Sequence, residues 1–416
     1  MSWHCPRARR VGLAAALILS ALLPALSTKA ATQITYLGRG DEFEREVYER
    51  IIHEFTAANP GIEVRLDWIA GSAPEIFERV LILTAAGTPP DAYWIHSYSM
   101  GDLVALDLLY PLDALVSKDS DLDLEDYYPA TLEEFTHNGR IYGLPRESST
   151  TVLTYNVDSF NEAGIATPGA DWTWETLLDA ARKLTHPSDS NPKYGIVAPT
   201  AHANHLSILW QNGGRFLNDS RTESVLSSPA SVEAAEWIYR LMYEHQVAAA
   251  PHLPQPSLAR GNVAMAFNIR AAVVALNDSG INWDAALLPA GKHRSTRIAS
   301  AGHGVHAKTG HEEAAYRLVK FLSGPVGVGA LAARGIIVPP LRSVAVEIFT
   351  EPRDQVFYQS MDFARPEPVT PDYLNVIAEK DRAFARIWRS EAPIESTLVE
   401  LDRIITARLR AAYNGE

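Results

Sequence analysis

Along the chain, short runs with a period of two give way to longer runs with a helical period, and the two take turns. Gln33 to Leu37 is strand-like, and Asp41 to Ala58 then carries Phe43, Val47, Ile51 and Phe55 at helical spacing on one face. Asn59-Pro60-Gly61 stops that predicted helix, and Ile62 to Trp68 alternates as a second strand. The next helix, about Pro74 to Ala86, ends at Gly87 ahead of Pro89-Pro90, and Asp91 to Ile95 makes a third strand. Repetition of strand, turn and amphipathic helix predicts an α/β fold with a mostly parallel sheet covered by helices. Ligands in such sheets lie outside the carboxyl ends of the strands.

From about Val152 to Asn277 the same logic returns, with helices near Trp174 to Leu184, Leu206 to Trp210 and Ser231 to His245. Pro251 to Pro256 holds three prolines and reads as a surface loop, because strand-like Val263 to Phe267 follows directly. From Thr370 onward the chain is helical, with Leu398, Leu401, Ile405 and Leu409 in one stripe. No fixed-period repeat or low-complexity tract interrupts this order.

The N-terminus breaks the pattern. Arg7 to Arg10 is basic, Val11 to Leu26 is an apolar run of 16 residues containing Pro24, and small residues follow up to Ala30-Ala31. That run falls short of the roughly 20 residues that span a bilayer, so residues 1–30 read as a signal peptide cleaved near Ala30. Cleavage after Ser27 is the competing position, and Arg9-Arg10 leaves a twin-arginine route open. Cys5, the one cysteine, precedes the apolar run and cannot carry a lipoprotein anchor, so the exported chain is expected to fold without disulfides.

Composition narrows the partners. With 37 Lys+Arg against 50 Asp+Glu in 416 residues the net charge is -13, and removing the four cations of the first 30 residues takes it to -17. A body this acidic does not offer the basic footprint of a nucleic-acid or acidic-lipid binder. The expected partner is neutral, cationic or small.

The chemistry is that of binding. The sequence has no G-x-S-x-G elbow and no phosphate-binding Walker loop, and His53-Glu54 and His311-Glu312 lack the second His of a helical zinc pair. Asp119, Asp121 and Asp123 imitate a calcium loop but are followed by Leu124 and Ala130 where Gly and Glu are needed, which makes the stretch a solvated acidic turn. Gly302 and Gly304 lack the strand and helix context of a dinucleotide site. His303, His306 and His311 fall within nine residues, and His202 and His205 within four, which keeps metal capture open as an alternative. More telling are Trp68, Tyr93, Trp94, Tyr98, Trp210 and Tyr373, which stand near strand ends or helix starts beside polar residues. A flat ring for a sugar's C–H face with polar groups for its hydroxyls is the combination carbohydrate recognition needs.

Several segments, in order, resemble the bacterial extracellular solute-binding proteins of ABC importers, in the sugar-carrying group. They are His53-Glu-Phe-Thr-Ala-Ala-Asn-Pro-Gly-Ile-Glu-Val64, Gly87-Thr-Pro-Pro-Asp91, Leu109-Tyr-Pro-Leu-Asp113, Gly139-Arg-Ile-Tyr-Gly-Leu-Pro145, Leu153-Thr-Tyr-Asn156, Phe160-Asn-Glu-Ala-Gly164 and Thr173-Trp-Glu-Thr-Leu177. Asn212-Gly-Gly214, Gly261-Asn-Val-Ala-Met265, Leu287-Leu-Pro-Ala-Gly291 and Pro339-Pro-Leu-Arg342 continue the series.

The resemblance implies a periplasmic-binding-protein-like fold, two α/β lobes with a hinge and a ligand cleft between them. The lobes would be 31–145 plus 289–336 and 146–288 plus 337–416. It implies a periplasmic, non-enzymatic, cofactor-free monomer that hands a mono- or oligosaccharide to an inner-membrane permease. A polyol or a phosphoester such as glycerol phosphate is the alternative ligand, and a secreted hydrolase would need an acid–base pair that is not evident. The candidate contacts are Arg39, Asp41, Ser72, His96, Ser97 and Tyr98 on the first lobe and Glu147 and Ser148 at the crossing. On the second lobe they are Trp210, Gln211, Asn268, Arg270, Arg342 and Tyr373, with Gly302 and His303 in the return to the first. Asn268-Ile-Arg270-Ala271 departs from the Gly and aromatic common in sugar binders of this family, which shifts the expected stacking ring to Trp210 or Tyr373.

Overall fold

A computed structural model describes residues 31–186, 192–335 and 337–414; the expected signal segment lies outside the described residues. The strands are β1 (Thr32–Arg39), β2 (Ile62–Ile69), β3 (Ala92–His96), β4 (Thr136–His137), β5 (Arg140–Ile141), β6 (Gly143–Asn156), β7 (Tyr194–Ile196), β8 (Val263–Ile269), β9 (Trp283–Ala286), β10 (Thr296–Val305) and β11 (Ala364–Pro366). Nine of them form one sheet in the order β2-β1-β3-β10-β6-β8-β7, with β11 beside β10 and β9 beside β6. β1, β2 and β3 are parallel, as the strand–helix alternation predicts, while β10 runs antiparallel to both β3 and β6.

The first helix, Glu42–Ala58, starts at Asp41, which forms a capping box with Glu44. Its apolar face, Val47, Tyr48, Ile51 and Phe55, covers one side of β1 together with Leu318 and Val319 of helix Glu312–Ser323. Phe43, expected on that face, is instead an exposed residue at the first turn. The other side of these strands packs Leu37, Tyr93 and Ile95 on Leu103 and Leu108. A separate core gathers Leu153, Leu206, Ile238 and Met265 with Phe384 and Trp388 of helix Tyr373–Trp388. The stripe Leu398, Leu401, Ile405 and Leu409 of helix Ile394–Asn414 closes this core and is buried along its whole length. Truncating any of its leucines to Ala should cost about 2–5 kcal/mol.

Two strands run through both regions. β6 pairs with β10 through Gly143–Thr150 and with β8 and β9 through Thr151–Asn156. A third crossing follows Ile337, where Val338 bridges Ser148. A third apolar cluster, with Val152, Ile298, Val338 and Phe357, sits where these crossings meet. Among the described residues no helix is long and apolar enough to cross a membrane.

Candidate functional site

The register sets the site. Arg39 lies opposite Ile69, and His96, Ala301 and Glu147 share one row across β3, β10 and β6. The carboxyl ends of β1, β2 and β3 therefore reach the level at which β6 passes from one core to the other. There the Arg39 guanidinium lies 4.8 Å from the Trp94 ring centre, and the His96 ring 4.2 Å from that of Tyr98. Half-buried Trp68, at the end of β2, donates its indole N–H to the Gly40 carbonyl at 3.2 Å and leans on Tyr48 at 5.1 Å. Asp41 accepts both guanidinium nitrogens of Arg334, at 3.0 and 2.7 Å.

At the crossing β6 is irregular. Gly302 faces Pro145 and Ala301 faces Glu147, so Arg146 has no opposite number. Such a bulge re-aims a side chain that strict alternation would send to the other face. Arg146, only 2% exposed, donates to Tyr48 Oη at 2.7 Å, Glu44 Oε1 at 3.2 Å and Glu147 Oε2 at 2.8 Å. Beneath it, His303 bonds Tyr36 Oη at 2.8 Å and Tyr48 Oη at 3.4 Å. Burial, with the Arg146 charge adding to it, holds the His303 pKa well below the ordinary range, so the ring is neutral and can accept from one phenol and donate to the other. Burial also raises the Glu147 carboxyl above its usual value, with Arg146 pulling the other way and Glu44 adding to the rise.

Three guanidinium groups, Arg39, Arg146 and Arg334, thus stand with three carboxylates, Asp41, Glu44 and Glu147. Among the described residues Arg39 forms no ion pair. Exposed Glu75, bonded to Ser72, adds a carboxylate at the edge. The cluster offers many hydrogen-bond donors and acceptors and no surplus of positive charge.

Across from it, half-buried Tyr98 packs against the second core and stands 6.4 Å from His202 and 6.3 Å from Tyr373. His202 donates to Glu367 at 2.8 Å, and Tyr373 donates to the same carboxylate at 2.6 Å. Burial opposes the His202 charge, but Glu367 and Asp381 outweigh it and raise its pKa. Burial and the Arg297 guanidinium beneath Tyr98 lower His96 to about 3.

The structure brings Arg39, Asp41, His96, Tyr98 and Glu147 together and gives most of the other expected contacts partners inside the fold. Ser72 caps helix Ala73–Ala85 with Glu75. Ser97 is buried and accepts from the Ser300 amide, and buried Ser148 donates to the Val338 carbonyl. Trp210 is 6% exposed within the second core, with one edge on a 430 Å³ cavity shared with Arg215, Phe216 and Glu367. Gln211 accepts from the Trp174 indole and donates to the Ser295 carbonyl, so it ties loops together. Asn268, half-buried, donates to Thr154 Oγ1. Arg270 is buried between Phe349 and Phe357 and paired with Asp354, which makes it a packing anchor. Arg342 lies 4.1 Å over Tyr128, and Tyr373 is 1% exposed.

Gly302 and His303 are interior sheet residues. A Cβ on Gly302 would stand 2.3 Å from the Leu144 carbonyl, so the glycine serves the bulge. The histidines of the metal alternative are separated: His306 bonds Thr84 at 2.9 Å, His303 lies between Tyr36 and Tyr48, and His311 begins helix Glu312–Ser323. Among the described residues no group of three His, Cys, Asp or Glu side chains is placed to hold a metal ion. Asp119 of the acidic turn is held by Lys320 and Tyr316.

Arg146, Glu44, Tyr48 and Arg334 escape the sequence reading. For Arg146 the one local signal is an Arg-Glu pair between Gly143-Leu-Pro145 and the Ser/Thr run 148–151, and a stretch this polar reads as a loop and not as a central strand. Arg334 carries none, because its partner Asp41 is 293 positions away.

The chain matches the family described as bacterial extracellular solute-binding protein over residues 37–328, and it belongs to that family. Among curated relatives, a binding protein of Brucella abortus is 28% identical over 203 residues, 47% of this chain and 46% of the relative. The chain thus spans about half the length of that relative. The galactooligosaccharide-binding protein of Bacillus subtilis is 23% identical and is covered, like this chain, to 80%. Among solved structures, the sugar-binding protein MalE of Xanthomonas citri superposes with a TM-score of 0.81 at 21% identity, over 92% of this chain and 100% of that one. An ABC substrate-binding protein of Listeria monocytogenes in complex with cycloalternan gives 0.78 at 23%, over 91% and 99%. These structures share the two-lobe fold, and the family and its neighbours are binding proteins.

Proposed function

We propose that this protein captures a neutral sugar, a mono- or oligosaccharide or a closely related polyol, between two lobes and delivers it to an ABC permease. The lobes are 31–145 plus 289–336 and 146–288 plus 337–416. The observation that carries the reading is the strand-end cluster, where Arg39, Asp41, His96 and Glu147 stand beside half-buried Trp68 and Tyr98 without a surplus of positive charge. Guanidinium groups donate to hydroxyls, carboxylates accept from them, and the rings cover C–H faces. A phosphoester would need an uncompensated cation. Among the described residues Arg39 forms no ion pair, but it adds no net positive charge to the cluster, because Glu44 and Glu147 share the single charge of Arg146 and Asp41 offsets Arg334. The relatives whose names mention galactooligosaccharide and arabinooligosaccharide support the same class.

Binding drives closure only through contacts present in the closed form, so the ligand must touch both lobes. Thermal shift of the full chain against neutral oligosaccharides, polyols, sugar phosphates and divalent metals tests the proposal. A saturable rise in melting temperature with a neutral carbohydrate is expected. A rise with phosphoesters or metals alone would overturn it.

A further inference from the structure

We infer that Arg146 is a positioning residue: raised by the β-bulge onto the side of Glu147, it fixes that carboxylate at the lobe crossing as an ionised acceptor for ligand hydroxyls. This rests on the reading that the crossing faces a neutral sugar.

The geometry is particular to residues 145–147. Strict alternation would put Arg146 and Glu147 on opposite faces of β6, and the Gly302–Pro145 mismatch removes that separation. Arg146 is then clamped from three sides. One nitrogen reaches Tyr48, whose phenol rests on neutral His303 and so on Tyr36, and the other spans Glu44 and Glu147. A carboxylate has about four acceptor positions. The bond from Arg146 occupies one of those on Glu147, whose side chain keeps 23% exposure for others.

The charges facing Glu147 are Glu44 from helix Glu42–Ala58, Arg39 from β1 and Arg146 itself. Tyr48 and Tyr36 are uncharged phenols, and His96 and His303 are neutral imidazoles. Without Arg146, two desolvated carboxylates would face each other, and one would take up a proton at ordinary pH. Glu147 would then present a hydroxyl donor in place of one acceptor, and its orientation would be free.

The test uses the full chain with ¹³C-labelled glutamate. Carboxyl titration of Glu147 without ligand should move up by about one pH unit or more in Arg146→Gln and by much less in Arg146→Lys, which keeps the charge. Affinity for the neutral sugar selected by thermal shift should fall about tenfold or more in Arg146→Gln, a loss of roughly 1.4 kcal/mol, and should become pH-dependent between about 5 and 8. Should Arg146→Gln not fold, Tyr48→Phe removes the hydroxyl that seats the guanidinium and should shift both readouts in the same direction. An unmoved Glu147 titration, or wild-type affinity with a wild-type pH profile in the variant that folds, would overturn the inference. A shifted titration in a protein that binds no neutral sugar would support the positioning role and overturn the sugar reading alone.

Discussion

A tryptophan at a predicted strand or helix end has two fates, and the structure separates them. Trp210 is packed among Leu206, Leu209 and Phe216, while Trp68 and Tyr98 are only half-buried at the strand-end cluster. Trp210→Ala should therefore cost about 3–5 kcal/mol of stability, measured by chemical denaturation. Trp68→Ala and Tyr98→Ala should instead cost affinity in calorimetry, about 1–2 kcal/mol each, with a smaller loss of stability. His205 gives a second contrast. It is buried against Phe384 at 4.1 Å, and among the described residues neither ring nitrogen has a hydrogen-bond partner. Burial, with the Lys380 charge beside it, depresses its pKa well below the ordinary value. Its unfolded form binds the proton that the native form refuses, so its contribution is present above about pH 6.5 and lost as pH falls. His205→Leu should gain about 1 kcal/mol at pH 7. Its advantage over wild type should widen by up to about 1.4 kcal/mol for each pH unit below that point, which denaturation curves at pH 7 and 5.5 would show.

Arg39, Asp41, His96 and Glu147 were legible because each stands where a predicted strand gives way to a turn or crossing. Arg270 reads the same way in sequence, yet its partner Asp354 lies 84 positions on, a pairing that no local pattern discloses.

At the level of elements, the strands that alternate with helices follow directly from periodicity, and the helices near Trp174, Leu206 and Ser231 are found close to their predicted places. β6 and β10 are harder to read. Their length, 14 and 10 residues, comes from serving two cores in succession, and the charges of Arg146 and Glu147 with the glycines at 302 and 304 disguise them as loops. The bulge depends on Gly302, because a methyl group there meets backbone on the neighbouring strand. Gly302→Ala should lower stability by more than about 2 kcal/mol, and Gly329→Ala, where a Cβ meets nothing, should be neutral or slightly stabilising; thermal denaturation distinguishes them. Arg270→Met leaves Asp354 without its partner in a largely buried pair and should cost about 3–5 kcal/mol. Affinity in the folded fraction should stay at the wild-type value, since Arg270 anchors packing behind β8.

For the molecule as a whole, the acidic balance of the sequence disfavours large anionic partners but says nothing about the site, where acids and guanidinium groups stand in near balance. The site belongs to no single segment. Its groups come from the ends of β1, β2 and β3, the first helix, the β6 crossing and the turn before Ile337, and only the assembled fold brings them to one level. That separation explains why the ordered motifs point to the family while the individual contact residues are only partly readable. The most direct measurement is calorimetric titration of the wild-type chain and Glu147→Gln with the same neutral oligosaccharide. The account predicts saturable one-site binding by the wild type and about tenfold or more weaker binding by the variant. Equal affinity in the two proteins, or no heat from any neutral carbohydrate, would contradict it.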